Sequence, residues 1–133
     1  MTSLLTVDTN ILVRLFVNDG SGQHKRVTRF FAELDESEQV FVGLTVITEL
    51  VWVFESVFAL DRERIAGVIE SLLDSQQVSL QNSAAVYYAV QSYKKGADFA
   101  DALIAATAKE AGCLRTLTFD QAAAKKAGME LLK

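Results

Sequence analysis

Apolar residues in this chain fall into two kinds of stretch, short continuous runs and longer segments with helical spacing, and their order predicts the elements. Leu4-Leu5-Thr6-Val7 is a short, partly β-branched run that reads as a buried strand. Ile11 to Val17 reads as a short helix, stopped by the breaker cluster Asn18-Asp19-Gly20. Ser21 is placed to cap a helix through Lys25, Val27, Phe30, Phe31 and Leu34, whose apolar positions recur every three or four residues. Val40-Phe41-Val42, set between Glu38-Gln39 and Gly43, predicts a second strand. Thr45 to Phe58 is the most hydrophobic helix. Only Thr45, Thr48, Glu49, Glu55 and Ser56 interrupt it, and they share one narrow face with Trp52.

Asp61 caps a further predicted helix, with Ile65, Val68, Ile69, Leu72 and Leu73 at helical spacing, and Gln77 to Leu80 predicts a third strand. A helix beginning at Asn82 or Ser83 carries Val86, Tyr87, Val90 and Tyr93 and stops at Lys94-Lys95-Gly96, basic residues followed by glycine. Phe99 to Ala111 is a helix of unusually small residues, closed by Gly112. Leu114 to Thr118 alternates apolar and polar residues, predicting a fourth strand. Asp120, a short helix from Gln121 to Ala127, Gly128 and an edge strand within Met129 to Leu132 complete the chain. Strands alternating with helices imply an α/β fold with a mainly parallel sheet. With no linker, repeat or low-complexity tract, residues 1–133 are expected to form a single domain.

Composition narrows the class. The chain is 50% hydrophobic and 23% charged, which excludes a disordered chain. No apolar run reaches the length of a membrane span, and no signal peptide is evident, so a cytoplasmic protein without membrane contact is expected. The lone Cys113 excludes an internal disulfide and fits a reducing compartment. The formal net charge of −4 lacks the basic footprint of an ordinary nucleic-acid binder, unless metal ions bring the positive charge to the site.

Most of the 17 acidic residues belong on solvated faces, Glu33, Asp35, Glu36, Glu38, Glu63 and Glu70 among them. Four resist that reading. Asp8 follows the first strand, where ligands bind in open α/β sheets, although it serves equally as a helix cap. Glu49 lies inside an apolar helix; it is either that helix's wet edge, favoured by the helix dipole, or a functional group. Asp98 and Asp101 both precede a run of small residues, and only one is needed as a cap. Asp98 suits that task, which leaves Asp101 for function. Asp120 stands after its strand as Asp8 does after the first, and is again either cap or functional carboxylate. Like charges at short range raise one another's pKa, so such a set needs a counter-charge. The chain has no HEXXH motif, no cysteine pair and one histidine, His24, which reads as a surface residue. Oxygen donors alone suit Mg²⁺ or Mn²⁺ rather than zinc, and an ion so held can activate water for phosphodiester cleavage.

The pieces Val7-Asp8-Thr9-Asn10, Thr48-Glu49-Leu50, Asp101-Ala102-Leu103-Ile104-Ala105-Ala106 and Leu117-Thr118-Phe119-Asp120, in this order over essentially the whole chain, resemble the PIN-domain ribonucleases, and within them the VapC-type toxins of bacterial toxin–antitoxin pairs. The resemblance implies a three-layer fold with a mainly parallel central sheet of four or five short strands flanked by helices. It implies that Asp8 and Asp101 hold the divalent ion directly, that Glu49 holds it through water or helps orient the attacking water, and that Asp120 completes the acidic ring, in contact with the ion through water. Asn10 and Thr118 would support them by hydrogen bonding. It further implies Mg²⁺- or Mn²⁺-dependent endonucleolytic cleavage of RNA, a homodimer, and a small antitoxin protein that inhibits by placing a segment in the acidic groove. The alternatives are a non-catalytic PIN-like module or a receiver-like Mg²⁺-binding domain. A receiver needs a lysine on a late strand, where this chain offers Arg115. Basic residues suited to phosphates (Arg14, Lys25, Arg26, Arg29, Lys94, Lys95) are scattered along the sequence.

Overall fold

A computed structural model of the chain describes residues 2–133. The elements follow the predicted order: β1 (Ser3–Thr6), α1 (Thr9–Phe16), α2 (Gln23–Ala32), β2 (Glu38–Val42), α3 (Leu44–Ser56), α4 (Arg62–Asp74), β3 (Val78–Leu80), α5 (Ser83–Lys94), α6 (Phe99–Glu110), β4 (Leu117–Thr118), α7 (Gln121–Lys126) and β5 (Glu130–Leu131). All the strand pairs are parallel, as helical crossovers require. The strands divide into two groups: a sheet in the order β1-β2-β3, with Leu5 opposite Val40 and Val42 opposite Leu80, and a separate pair, β4-β5, with Leu117 opposite Glu130.

The core lies around the central strand β2. Val40 and Val42 are fully buried, under Ile47, Leu50, Val51 and Phe54 of α3, Ile65, Ile69 and Leu72 of α4, and Val86 and Val90 of α5. Many of the α3 residues are β-branched or aromatic, poor helix formers by propensity, and burial of the stripe Ile47, Leu50, Val51 and Phe54 overrides that preference. Its remaining side is the anticipated polar stripe, along which Trp52 is 62% exposed.

Three expectations need correction. The first strand is not buried: Leu4 is 58% exposed, because β1 pairs only with β2 and its other edge is left open when β4 pairs with β5 instead. Ser21 does not cap α2. Gly22 takes the N-cap position at φ 87°, a left-handed conformation open to glycine, and Ser21 Oγ accepts a hydrogen bond from the Gln23 N–H at 3.3 Å one residue earlier than expected. The fourth strand is shorter than Leu114 to Thr118; only Leu117–Thr118 pair, and Leu114 lies fully in solvent.

Candidate active site

Asp8 and Asp120 occupy equivalent places. Each stands two residues beyond its strand and caps the helix that follows. Asp8 Oδ1 accepts from the Ile11 N–H at 3.2 Å. Asp120 Oδ1 accepts from the N–H groups of Ala122 at 2.8 Å and Ala123 at 3.4 Å, while Thr118 Oγ1 accepts from the Asp120 N–H at 3.0 Å. Capping and function are therefore compatible at both positions. Each cap engages Oδ1 and leaves Oδ2 without a protein partner among the described residues.

The division of labour between Asp98 and Asp101 follows the capping argument. Asp98 Oδ2 accepts from the Asp101 N–H at 3.0 Å and caps α6, so the Asp101 carboxylate in the first turn carries no capping duty. Burial first, and then the charges of Asp98 and Asp120, push the Asp101 carboxyl above its ordinary value. This happens although a helix N-terminus favours a negative charge. Repulsion and desolvation outweigh the dipole, and a cation would relieve both. Asp98, Asp101 and Asp120 thus share one electrostatic neighbourhood. Glu49 projects from the exposed side of α3, a helix that touches α6, and its side chain has no hydrogen bond among the described residues.

Asp8 and Asn10 open onto a groove of about 520 Å³ between β1, α1 and α2, with Leu5, Ile11, Val27 and Phe30 as apolar walls and Arg14 and Arg26 as basic ones. Arg14 is tied down there. Its Nε donates to Gln23 Oε1 at 3.0 Å, and its Nη2 lies 3.3 Å from Asp19 Oδ2. Ser21, and then Arg14, hold the Asp19 carboxyl below its ordinary value. His24 is not the surface residue expected from its polar surroundings. It is half-buried, and its Nδ1 lies 2.7 Å from the Arg14 carbonyl, which can only accept, so the proton sits on Nδ1 and the ring ties α1 to α2.

A sequence profile of the family described as PIN domain matches residues 5–129. The chain belongs to the PIN domain family. It is also 29% identical, over 115 residues, to a protein named VapC ribonuclease from Aquifex aeolicus (strain VF5), an alignment covering 85% of this chain and 84% of that relative.

In this PIN domain the carboxylates agree in kind with a hard divalent cation, because the donors are all oxygen and Asp101 sits in uncompensated negative charge. They are not drawn into a closed cage. Among the described residues, no three His, Cys, Asp or Glu side chains converge closely enough to hold a metal ion. The charges that bear on Asp101 come from Asp98 and Asp120, whereas Asp8 stands on the groove between β1, α1 and α2.

Sequence reasoning did not single out Arg62, the residue that ties down the start of the PIN domain's α6. Its Nη1 donates to the carbonyls of Tyr93 at 2.9 Å and Ala97 at 2.5 Å, and its guanidinium stacks 4.2 Å from the Tyr93 ring centroid. Ala97 immediately precedes the cap Asp98, so Arg62 fixes the turn that aims Asp101. The only signal in the sequence is an arginine beside the capping Asp61, and its partners lie 31 and 35 residues away. Arg62→Ala is expected to lower stability by about 2–4 kcal/mol, summing charge-assisted hydrogen bonds and a cation–π contact. Urea unfolding of the variant beside Arg62→Lys measures this, and lysine should restore only part of the loss because it lacks the planar fork.

Proposed function

We propose that this PIN domain is a divalent-metal-dependent endoribonuclease acting as the toxin of a toxin–antitoxin pair. The observation that carries the reading is the place of Asp101 in the first turn of α6, relieved of capping by Asp98 and half-buried, where burial and then the charges of Asp98 and Asp120 push its carboxyl above its ordinary value. That is where a hard cation would be accommodated. The name of the Aquifex relative, a ribonuclease, supports the choice of RNA as substrate.

In this reading Asp8 and Asp101 hold Mg²⁺ or Mn²⁺ directly, and Glu49 and Asp120 do so through water. When bound, the ion lowers the pKa of water and offsets charge at the scissile phosphate. Glu49, whose side chain has no hydrogen bond among the described residues, would take a hydrogen bond from the attacking water and receive its proton. Thr118 fixes the backbone of Asp120 and so aims the carboxylate. The Asn10 amide is available to the phosphate from the Asp8 end of the groove. A water oxygen forms a new bond to phosphorus as the bond to the leaving ribose oxygen breaks, the leaving oxygen takes up a proton from solvent, and two RNA fragments result.

The protein acts as a homodimer and is silenced by a small antitoxin that places a segment over the carboxylates of Asp8, Asp101 and Asp120. No helix among the described residues is long and apolar enough to cross a membrane. A second reading, a non-catalytic PIN-like binding module, is favoured by one observation, the absence of a converged ligand cluster among the described residues. Purified, antitoxin-free protein incubated with total cellular RNA decides between the two. Discrete fragments with Mg²⁺ or Mn²⁺, lost with EDTA and in Asp8→Asn, are expected. Intact RNA under every metal condition, from protein that is folded, would select the binding module.

A further inference from the structure

We propose that the exposed face of α2 is the rail on which the RNA backbone rides into the site, with Lys25, Arg26 and Arg29 as its phosphate contacts; this rests on the ribonuclease reading above. A polyanion approaching Asp8, Asp98, Asp101 and Asp120 in a chain of net charge −4 is repelled, so productive approach needs a local run of cations.

The structure sorts the basic residues that the sequence left scattered. Lys94 is paired with Glu70 at 3.0 Å, Arg115 with Glu130 at 3.1 Å, and Arg14 with Asp19 at 3.3 Å, while Arg62 donates to two carbonyls. Arg64, Lys95, Lys109, Lys125, Lys126 and Lys133 are exposed and unpaired among the described residues, but none of them lines the groove at Asp8. The side chains of Lys25, Arg26 and Arg29 make no hydrogen bond or ion pair among the described residues, and all three residues are exposed. They share a helix, Gln23–Ala32, that contains no acidic residue. At 3.6 residues per turn they span an arc of about 100°, opposite the buried Val27 and Phe31.

Position links this face to the chemistry. Arg26 lines the same groove as Asp8 and Asn10, so a strand held by α2 is delivered to the Asp8 end of the site. The nearest acids in sequence lie beyond the helix ends: Asp19 is engaged by Arg14, and Glu33 follows the last turn. Three unengaged cations on one acid-free face match the repeated charge of a nucleic-acid backbone, and such contacts carry no base specificity.

The test is fluorescence anisotropy with single-stranded RNA between 50 and 200 mM salt, using Asp101→Asn protein to prevent cleavage. Each phosphate contact on a single strand contributes about 0.7 to the slope of log K against log[salt], so Lys25→Gln/Arg26→Gln/Arg29→Gln is expected to flatten the slope by about 2. Affinity should fall similarly for unrelated RNA sequences. Lys94→Gln/Lys95→Gln should leave the slope near that of the parent. A triple variant that keeps the parent's slope and affinity overturns the rail, as does a parent that binds no RNA. So does a triple variant with intact RNA binding that has lost only the capture of an acidic protein, because α2 is then a protein-docking face. Cleavage by the unaltered protein is scored separately. A chain that cleaves RNA but whose α2 charges do not matter refutes the rail alone, and a chain that does not cleave refutes the ribonuclease reading.

Discussion

Asp101→Asn is expected to reduce RNA cleavage by about a hundredfold or more, the scale on which a positioned essential group acts, while leaving the fold intact. The asparagine keeps the shape, the α6 turn stays capped by Asp98, and only the charge is lost. Stability should move the other way from activity. The folded protein holds the Asp101 carboxyl above its ordinary value, so at neutral pH folding pays for keeping it ionised. That penalty is relieved as pH falls through the folded value towards the unfolded one, because the folded state then binds the extra proton first. Asp101→Asn should therefore melt at or above the wild-type temperature at pH 7, and should lack the wild-type's relative gain on mild acidification. The lost helix-dipole attraction offsets part of the effect, by about 0.3–1 kcal/mol. Thermal melts of both proteins between pH 4 and 7 read this directly, and a variant that melts well below wild type at pH 7 contradicts the electrostatic account.

The second large effect concerns Tyr93, where four helices meet. Its ring is fully buried, packs edge-on against Phe99 with centroids 5.9 Å apart, and carries the Arg62 guanidinium on its face. Its hydroxyl donates to Glu55 Oε2 at 2.8 Å, which links α5 to α3. Burial, and then that hydrogen bond, raise the phenol far above its ordinary value, so the donor stays protonated throughout the working pH range. Tyr93→Ala is expected to cost about 3–5 kcal/mol, the range for deleting a buried aromatic ring. Tyr93→Phe keeps the ring and loses one hydrogen bond to an exposed carboxylate, about 0.5–1.5 kcal/mol. Denaturant unfolding of the pair separates packing from hydrogen bonding. Similar losses in the two variants would show that the hydroxyl, rather than the ring, holds the junction.

What the sequence made legible was local. The helix caps at Asp61 and Asp98 could be read because a cap is set by residues three apart, and each accepts the expected hydrogen bond; the start of α5 stayed open between Asn82 and Ser83, and Asn82 is its cap. The α3 stripe was visible because helical periodicity converts directly into faces, and the order of strands and helices follows from the same periodicities. Exposure of β1 was hidden because a strand's burial depends on what flanks it, and no pattern within Leu4 to Val7 reports that β4 pairs with β5. The tie from Arg62 to Ala97 and the role of His24 between α1 and α2 were hidden for the same reason: each partner is distant in sequence. The four carboxylates were identifiable as exceptions to a solvated face, but their mutual distances were not, and these decide whether capping positions also make a metal site.

The proposed metal site has Asp8 and Asp101 as direct ligands of the divalent ion, with Glu49 and Asp120 around it. Crystals grown with Mn²⁺ and measured at its absorption edge locate the ion by anomalous scattering. A strong peak is expected between the carboxylates of Asp8 and Asp101, and none there in Asp101→Asn crystals. Fully loaded crystals with no peak there, or with manganese bound equally in the variant, would contradict it.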